Sequence, residues 1–187
     1  MWLTHSKNAS RPVRALAASL AARLPSCRLI TRSKRPLARL EALAARGGVG
    51  TLLVLLEYDE GKTKGKRSSV QKDEASSIHS ILRTRRQSHE SEGRVKWVWD
   101  EKELVLHHVE FGPKSQAALA SDTPVVFKAR AKEAQSVLSF LGFEDDGLAS
   151  LYDKPQAVNI SARKGLCSLK AGKTMLVQFN YSWGKTW

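Results

Sequence analysis

The sequence predicts an α+β fold, a mainly antiparallel sheet with one or two packed helices. Three observations carry that reading. Polar and apolar residues alternate in Arg94–Trp99 and in Val158–Arg163, and an extended chain sends successive side chains to opposite faces. Leu52–Leu56 is continuously apolar, the mark of a strand covered on both faces. After Val125–Ala129 the period changes: Ala134, Val137, Leu138 and Leu141 fall on one helical stripe, and Gly142 supplies a stop. With 187 residues, 42% of them hydrophobic, the chain suits one core rather than two.

The elements follow in chain order. The first forty residues contain no acid, and Arg11, Arg14, Arg23 and Arg28 surround the apolar stretch Ala15–Ala22. This composition fits a presequence, because a cationic helix with a Leu16/Leu20/Leu24 face is drawn to a receptor groove and across a membrane that is negative inside. Residues 1–46 therefore read as a basic organellar presequence or a disordered tail, giving a mitochondrial matrix or plastid location. Residues 47–187 read as a single nucleic-acid-binding domain. No stretch approaches the roughly 20 apolar residues of a membrane-spanning helix, and Val49–Leu56 runs into Glu57.

Within the domain, Gly47–Gly48 leads into the Leu52–Leu56 strand, and residues 62–93 form a long polar loop with room for one short helix. Arg94–Trp99 and Leu104–His108 then make a hairpin around a turn at Asp100–Glu103. That pairing sets Trp99 against Leu104 and Trp97 against Leu106, with both indoles in the core, and turns Arg94 and Lys96 outward. The strand and helix of 125–141 follow. After an acidic loop, AVNISAR and TMLVQFNYSW are two more strands joined by the connection KGLCSLKAGK.

The net charge of +13 is uneven: residues 1–50 hold ten Lys/Arg against one Glu, and the remainder holds 21 against 17. The domain is thus only mildly basic, and the total overstates its appetite for an anionic partner.

No catalytic constellation stands out. Glu144–Asp146 is a solvated acidic loop, and successive residues His107 and His108 point to opposite faces of a strand, where they cannot share a metal. Cys27 and Cys167 form neither a disulfide framework nor a metal pair. AGKT at 171–174 lacks the earlier glycine of a phosphate loop, since Cys167 occupies that place. TLLVLLEYDE lacks the alternating glutamates of triphosphate-tunnel enzymes. The chain reads as a binding protein without enzymatic activity or cofactor.

Lys and Arg hold phosphate without regard to sequence. The candidates are Lys62, Lys64, Lys66 and Arg67 on the polar loop, Arg94 and Lys96 on the hairpin, Lys128 and Arg130 at the next strand, and Arg163 and Lys164 at a strand end. Together they favour a basic sheet surface.

RVKWVWDEKELVLHHVEF as an outer hairpin, PVVFKARAKEAQSVLSFLGFEDD as strand and helix, and SLYDKP as an aromatic-Asp turn resemble the Whirly family and the mitochondrial guide-RNA-binding proteins related to it. The likeness spans residues 94–183. It departs at the basic-aliphatic first strand, for which only Lys62–Arg67 can substitute, and at the second closing helix. The resemblance implies two sheets with helices between them, an oligomer, and single-stranded RNA or DNA bound with little sequence preference. The expected function is an organellar single-stranded nucleic-acid-binding protein, RNA favoured over DNA. The alternative is a structural, RNA-contacting subunit of an organellar ribosome or another large ribonucleoprotein assembly.

Overall fold

The computed structural model describes residues 1–32, 35–58, 79–89, 95–112, 125–143 and 156–185. Within the expected polar loop of residues 62–93, Lys62, Lys64, Lys66 and Arg67 lie outside the described residues, as do Arg94, the acidic loop and the aromatic-Asp turn, whereas residues 79–89 are no loop but a strand paired on both edges.

The described chain forms β1 (Trp2–His5), α1 (Arg11–Ala21), β2 (Arg28–Leu29), α2 (Leu37–Arg46), β3 (Thr51–Tyr58), β4 (His79–His89), β5 (Val95–Phe111), β6 (Val125–Ala129), α3 (Lys132–Phe140), β7 (Gln156–Arg163), β8 (Leu166–Ala171) and β9 (Thr174–Lys185). All nine strands join one sheet in the order β2-β1-β3-β4-β5-β9-β8-β7-β6. The α+β class and the helix after the 125–129 strand are as the sequence predicts. The sheet is mixed, since β1 runs parallel to β2 and β3, and β6 parallel to β7. Three helices are described where one or two are expected.

The pairings repeat. In the first half, β1 is parallel to β3, and β3, β4 and β5 follow in antiparallel steps. In the second, β6 is parallel to β7, and β7, β8 and β9 follow likewise. Each half is a strand, a helix and three strands, with α1 and α3 as the crossovers that parallel neighbours require. The halves meet where β5 pairs antiparallel with β9, and β2 and α2 are inserted into the first half only.

Residues 1–46, expected to stand apart as a presequence or tail, supply β1, α1, β2 and α2. Ser10 caps α1 by accepting from the Val13 amide, and Pro12 occupies the first turn, where its missing N–H costs nothing. Val13, Ala17, Leu20 and Ala21 form the buried stripe of α1 and share a core with Leu3, Leu53, Leu55, Leu82, Leu104 and Leu106. The apolar face that reads as a receptor ligand is therefore a packing face in the fold.

The helix α3 buries Ala134, Val137, Leu138 and Phe140 on the same side of the sheet, against Val158, Ile160 and Ala162 of β7. It stops at Gly142, whose φ of +80° and distance of 2.6 Å from a built Cβ to Thr51 Cγ2 exclude a side chain. On the opposite side of the first half, Leu40 and Ala44 of α2 are buried, as are the even positions Leu52 and Val54 of β3. Among the described residues no helix covers that side of the second half, where Lys128, Asn159, Ser161, Arg163 and Lys170 are exposed while Val126 and Ser168 are buried.

β5 is one strand of 17 residues, not the expected hairpin. Asp100–Glu103, which read as a turn, contain an irregularity instead: Arg83 pairs with Glu103 and Arg85 with Trp99, so Asp100–Lys102 bulge from β5 while the strand continues. Trp97 and Trp99 consequently pair with Gln87 and Arg85, and both are half-buried rather than core. The Arg85 guanidinium lies 4.7 Å from the centroid of the Trp99 ring.

Candidate nucleic-acid interface

On the open side of the second half, register fixes which residues share a row. Lys128 of β6, Asn159 of β7 and Lys170 of β8 are direct neighbours, and all three are exposed. Lys128 and Lys170, two strands apart, are separated by about 10 Å of sheet. The next row is Ser161, Ser168, Gln178 and Glu110, with the Ser161 and Ser168 hydroxyls 2.8 Å apart. The third is Arg163, Leu166, Asn180 and His108. The alternate residues Val158, Ile160, Ala162, Cys167, Leu169 and Phe179 face α1 and α3 and are buried, so alternation alone puts this polar set on one side.

The hairpin between β7 and β8 turns through Lys164 and Gly165, both left-handed at φ 51° and 76°. Two positive φ values match the twist of adjoining strands in a two-residue turn. They also hold Lys164, exposed, at the tip beside Arg163. Arg130 follows β6 and is exposed as well. Residues 156–185 contain no Asp or Glu. On the rows named, Glu110 is the one carboxylate, and it lies 2.9 Å from His108 Nε2.

Of the residues singled out in the sequence, the fold thus gathers Lys128, Arg163 and Lys164, with Arg130 at the edge. It does not bring Lys96 to them: Lys96 is on the outer part of β5, where it pairs with Ser88 and falls in alternation with Asp100 on the α3 side of the sheet. The sequence assigns LCSLKA to a connection, which leaves Lys170 and its polar neighbours out of the candidates, whereas the fold makes it the strand β8. Its alternation, Cys167, Leu169 and Ala171 against Ser168 and Lys170, is the signal that identifies β8.

A second correction concerns His107 and His108. An irregularity between Leu106 and His108 breaks strict alternation, so His107 contacts the Ser182 hydroxyl at 2.8 Å while His108 pairs with Asn180, both on the open side. Among the described residues no group of three His, Cys, Asp or Glu side chains could hold a metal. No described helix is long and apolar enough to cross a membrane.

Other cations are tied within the fold. Arg83 Nε donates to Glu103 at 2.8 Å, Arg85 pairs with Glu41 of α2 at 2.8 Å, and Arg86 pairs with Asp100 at 3.2 Å while donating to the Ser139 and Phe140 carbonyls at the end of α3. A guanidinium there answers the negative pole of the helix. These arginines hold elements together, whereas Lys128, Arg163, Lys164 and Lys170 project from the sheet.

Among the described residues, a nine-stranded sheet made of two equivalent halves, with polar and basic residues on one side of the second half, defines the architecture. Among the solved structures similar to it in fold are the following two. One is described as a probable ribosomal biogenesis protein from Aeropyrum pernix K1. It superposes with a TM-score of 0.59 at 15% identity, over 99% of this chain and 95% of its own. The other is Mil, described as an archaeal Imp4-like protein, with a TM-score of 0.58 at 14% identity over 100% of this chain and 99% of its own. At such identities the likeness is one of fold. No family model matches the sequence, and no curated protein matches it. The Whirly and guide-RNA-binding resemblance is overturned: one sheet replaces the implied two, RVKWVWDEKELVLHHVEF is a single strand with a bulge, and the structural neighbours are of another kind.

Proposed function

We propose that this chain is a non-catalytic, RNA-contacting component of a ribosome-assembly particle, holding RNA by its phosphates on the open side of β6–β9. The observation that carries the reading is the likeness in fold over essentially the whole length of both chains to proteins described as a probable ribosomal biogenesis protein and as Imp4-like. The open side supports it independently. An acid-free stretch of three adjacent strands displays Lys170 and Arg163 with Lys128 beside them, and Asn159, Asn180 and Ser161 supply neutral donors and acceptors for sugar and phosphate oxygens. Backbone contacts position a protein on RNA and carry no sequence information, so recognition rests on shape and on other partners in the particle.

The test is RNA binding by the full chain across a range of salt. Replacing Lys128, Arg163 and Lys170 together by Ala lowers affinity for unrelated single-stranded RNAs alike and reduces the logarithmic salt slope by about 2, since each lost phosphate contact removes about 0.7. These side chains are exposed, so the unfolding free energy measured in urea stays within about 0.5 kcal/mol of the parent. A triple variant that binds with unchanged slope removes the open side from the account.

A further inference from the structure

On the other side of the sheet, at the end of α3, a cavity of about 280 Å³ opens between the helix and the β5 bulge. Trp183 lines it and keeps 37% of its surface exposed. Large aromatics normally spend their area on the core, and an exposed one with a fixed orientation calls for a reason. Trp183 is fixed: Phe140 and Tyr181 meet it edge to face, with centroids 5.5 and 5.8 Å away and interplanar angles of 80° and 82°.

The electrostatics around the ring are mixed. Lys102 Nζ lies 5.9 Å from the Trp183 centroid, and Lys102 and Lys185 are direct neighbours on β5 and β9, two residues along each strand from the Leu104–Trp183 pair and so on the same side. Asp100 and Glu101 bring two carboxylates to the cavity. Arg86, spanning Asp100 and the last carbonyls of α3, neutralises the helix end that would otherwise repel an anion. A bare phosphate would meet the carboxylates. A nucleobase instead offers a flat π-face to Trp183 and donors and acceptors on its edge, while its own phosphates reach Lys102 and Lys185 at the rim.

We infer that this cavity takes one unstacked base of a single-stranded RNA segment, stacked on Trp183 with its flanking phosphates on Lys102 and Lys185. The inference rests on the reading of the chain as an RNA-contacting protein and adds a site where a base, rather than only the backbone, is held. Stacking on an aromatic tolerates any base, so the site selects for single-strandedness and not for sequence.

The experiment compares two probes on the full chain: a ten-nucleotide single-stranded RNA of mixed sequence and the same ribose-phosphate chain without bases. Trp183→Ala weakens the RNA at least five-fold, the lower end of what one stacked base contributes, and leaves the abasic chain unchanged. Trp183→Phe, which keeps the packing on Phe140 and Tyr181, falls between, and it decides the matter if the Ala variant does not fold. Lys102→Ala with Lys185→Ala weakens both probes together and lowers the salt slope by about 1.4. Equal losses on both probes, or none, for the Trp183 variants overturn the inference. So does a Trp183 variant that binds RNA normally yet no longer joins a ribonucleoprotein particle, since the cavity would then hold a peptide. If those variants bind normally while the Lys128, Arg163 and Lys170 variant does not, only this site falls. A parent chain that binds neither probe removes the RNA reading with it.

Discussion

Arg85 shows how a cation can be abundant in the sequence and still unavailable to a partner. Its guanidinium pairs with Glu41, stacks near Trp99 and donates to the Trp97 carbonyl at 2.6 Å, linking α2, β4 and β5. Arg85→Ala leaves Glu41, a largely buried carboxylate, without that partner, and truncating one member of such a pair costs far more than an exposed ion pair contributes. The expected loss is about 2 to 3 kcal/mol in urea unfolding, with RNA affinity unchanged. Nearer the middle of the sheet, Tyr181 Oη donates to Glu133 Oε1 at 2.7 Å, tying β9 to α3. Burial, followed by the Glu133 carboxylate, raises the Tyr181 phenol above its usual 10. Burial, with Glu133 again second, pushes the Cys167 thiol up to about 12. Both groups are held neutral in the fold and ionise more readily when it opens. Their contribution is therefore complete below pH 9, and it declines as pH rises through 9 and 10 toward 12. Urea midpoints measured from pH 7 to 11 should be flat to about 9 and then fall, and Cys167 should resist alkylation at pH 8 until denaturant is added.

At the level of elements, β7 and α3 were legible because each exposes one face: Asn159, Ser161 and Arg163 alternate with buried neighbours, and the α3 stripe repeats at helical spacing. The strand β5 was not legible as one element. Asp100, Glu101, Lys102 and Glu103 have the composition of a turn, and only the pairing of Arg83 with Glu103 and of Arg86 with Asp100 shows why four charged residues stay extended. The first 46 residues are ambiguous in sequence for a related reason: an amphipathic, arginine-spaced helix looks the same whether its apolar face meets a receptor or its own sheet. The fold gives that face a packing role, so Leu20→Ala should cost about 2 to 4 kcal/mol. Removing residues 1–46 should expose Leu53, Leu55 and Leu82 and leave residues 47–187 without a cooperative thermal transition. A truncated chain that melts cooperatively near the parent temperature would show that the second half carries its own stability. Of the candidate site, Lys128 and Arg163 could be found by alternation and Lys164 by its place at a strand end, whereas Lys170 needed β8 to be recognised and Trp183 needed the β5–β9 register.

For the whole molecule, the repeated arrangement of β1–β5 and β6–β9 explains how a chain of this size builds one sheet with two unlike sides. Both crossover helices with apolar stripes lie on one side, and among the described helices α2 lies on the other, over the first half. The described strands of the second half carry a polar, acid-free set of exposed residues, and this surface is proposed to meet RNA inside a ribosome-assembly particle. Sedimentation of a tagged full-length chain from its own cells tests that claim most directly. The account predicts that the chain travels with immature ribosomal subunits, that ribonuclease treatment releases it, and that the Lys128, Arg163 and Lys170 alanine variant shifts toward the top of the gradient while remaining folded. A chain that sediments alone, or whose association with particles survives both ribonuclease and the triple substitution, would contradict it.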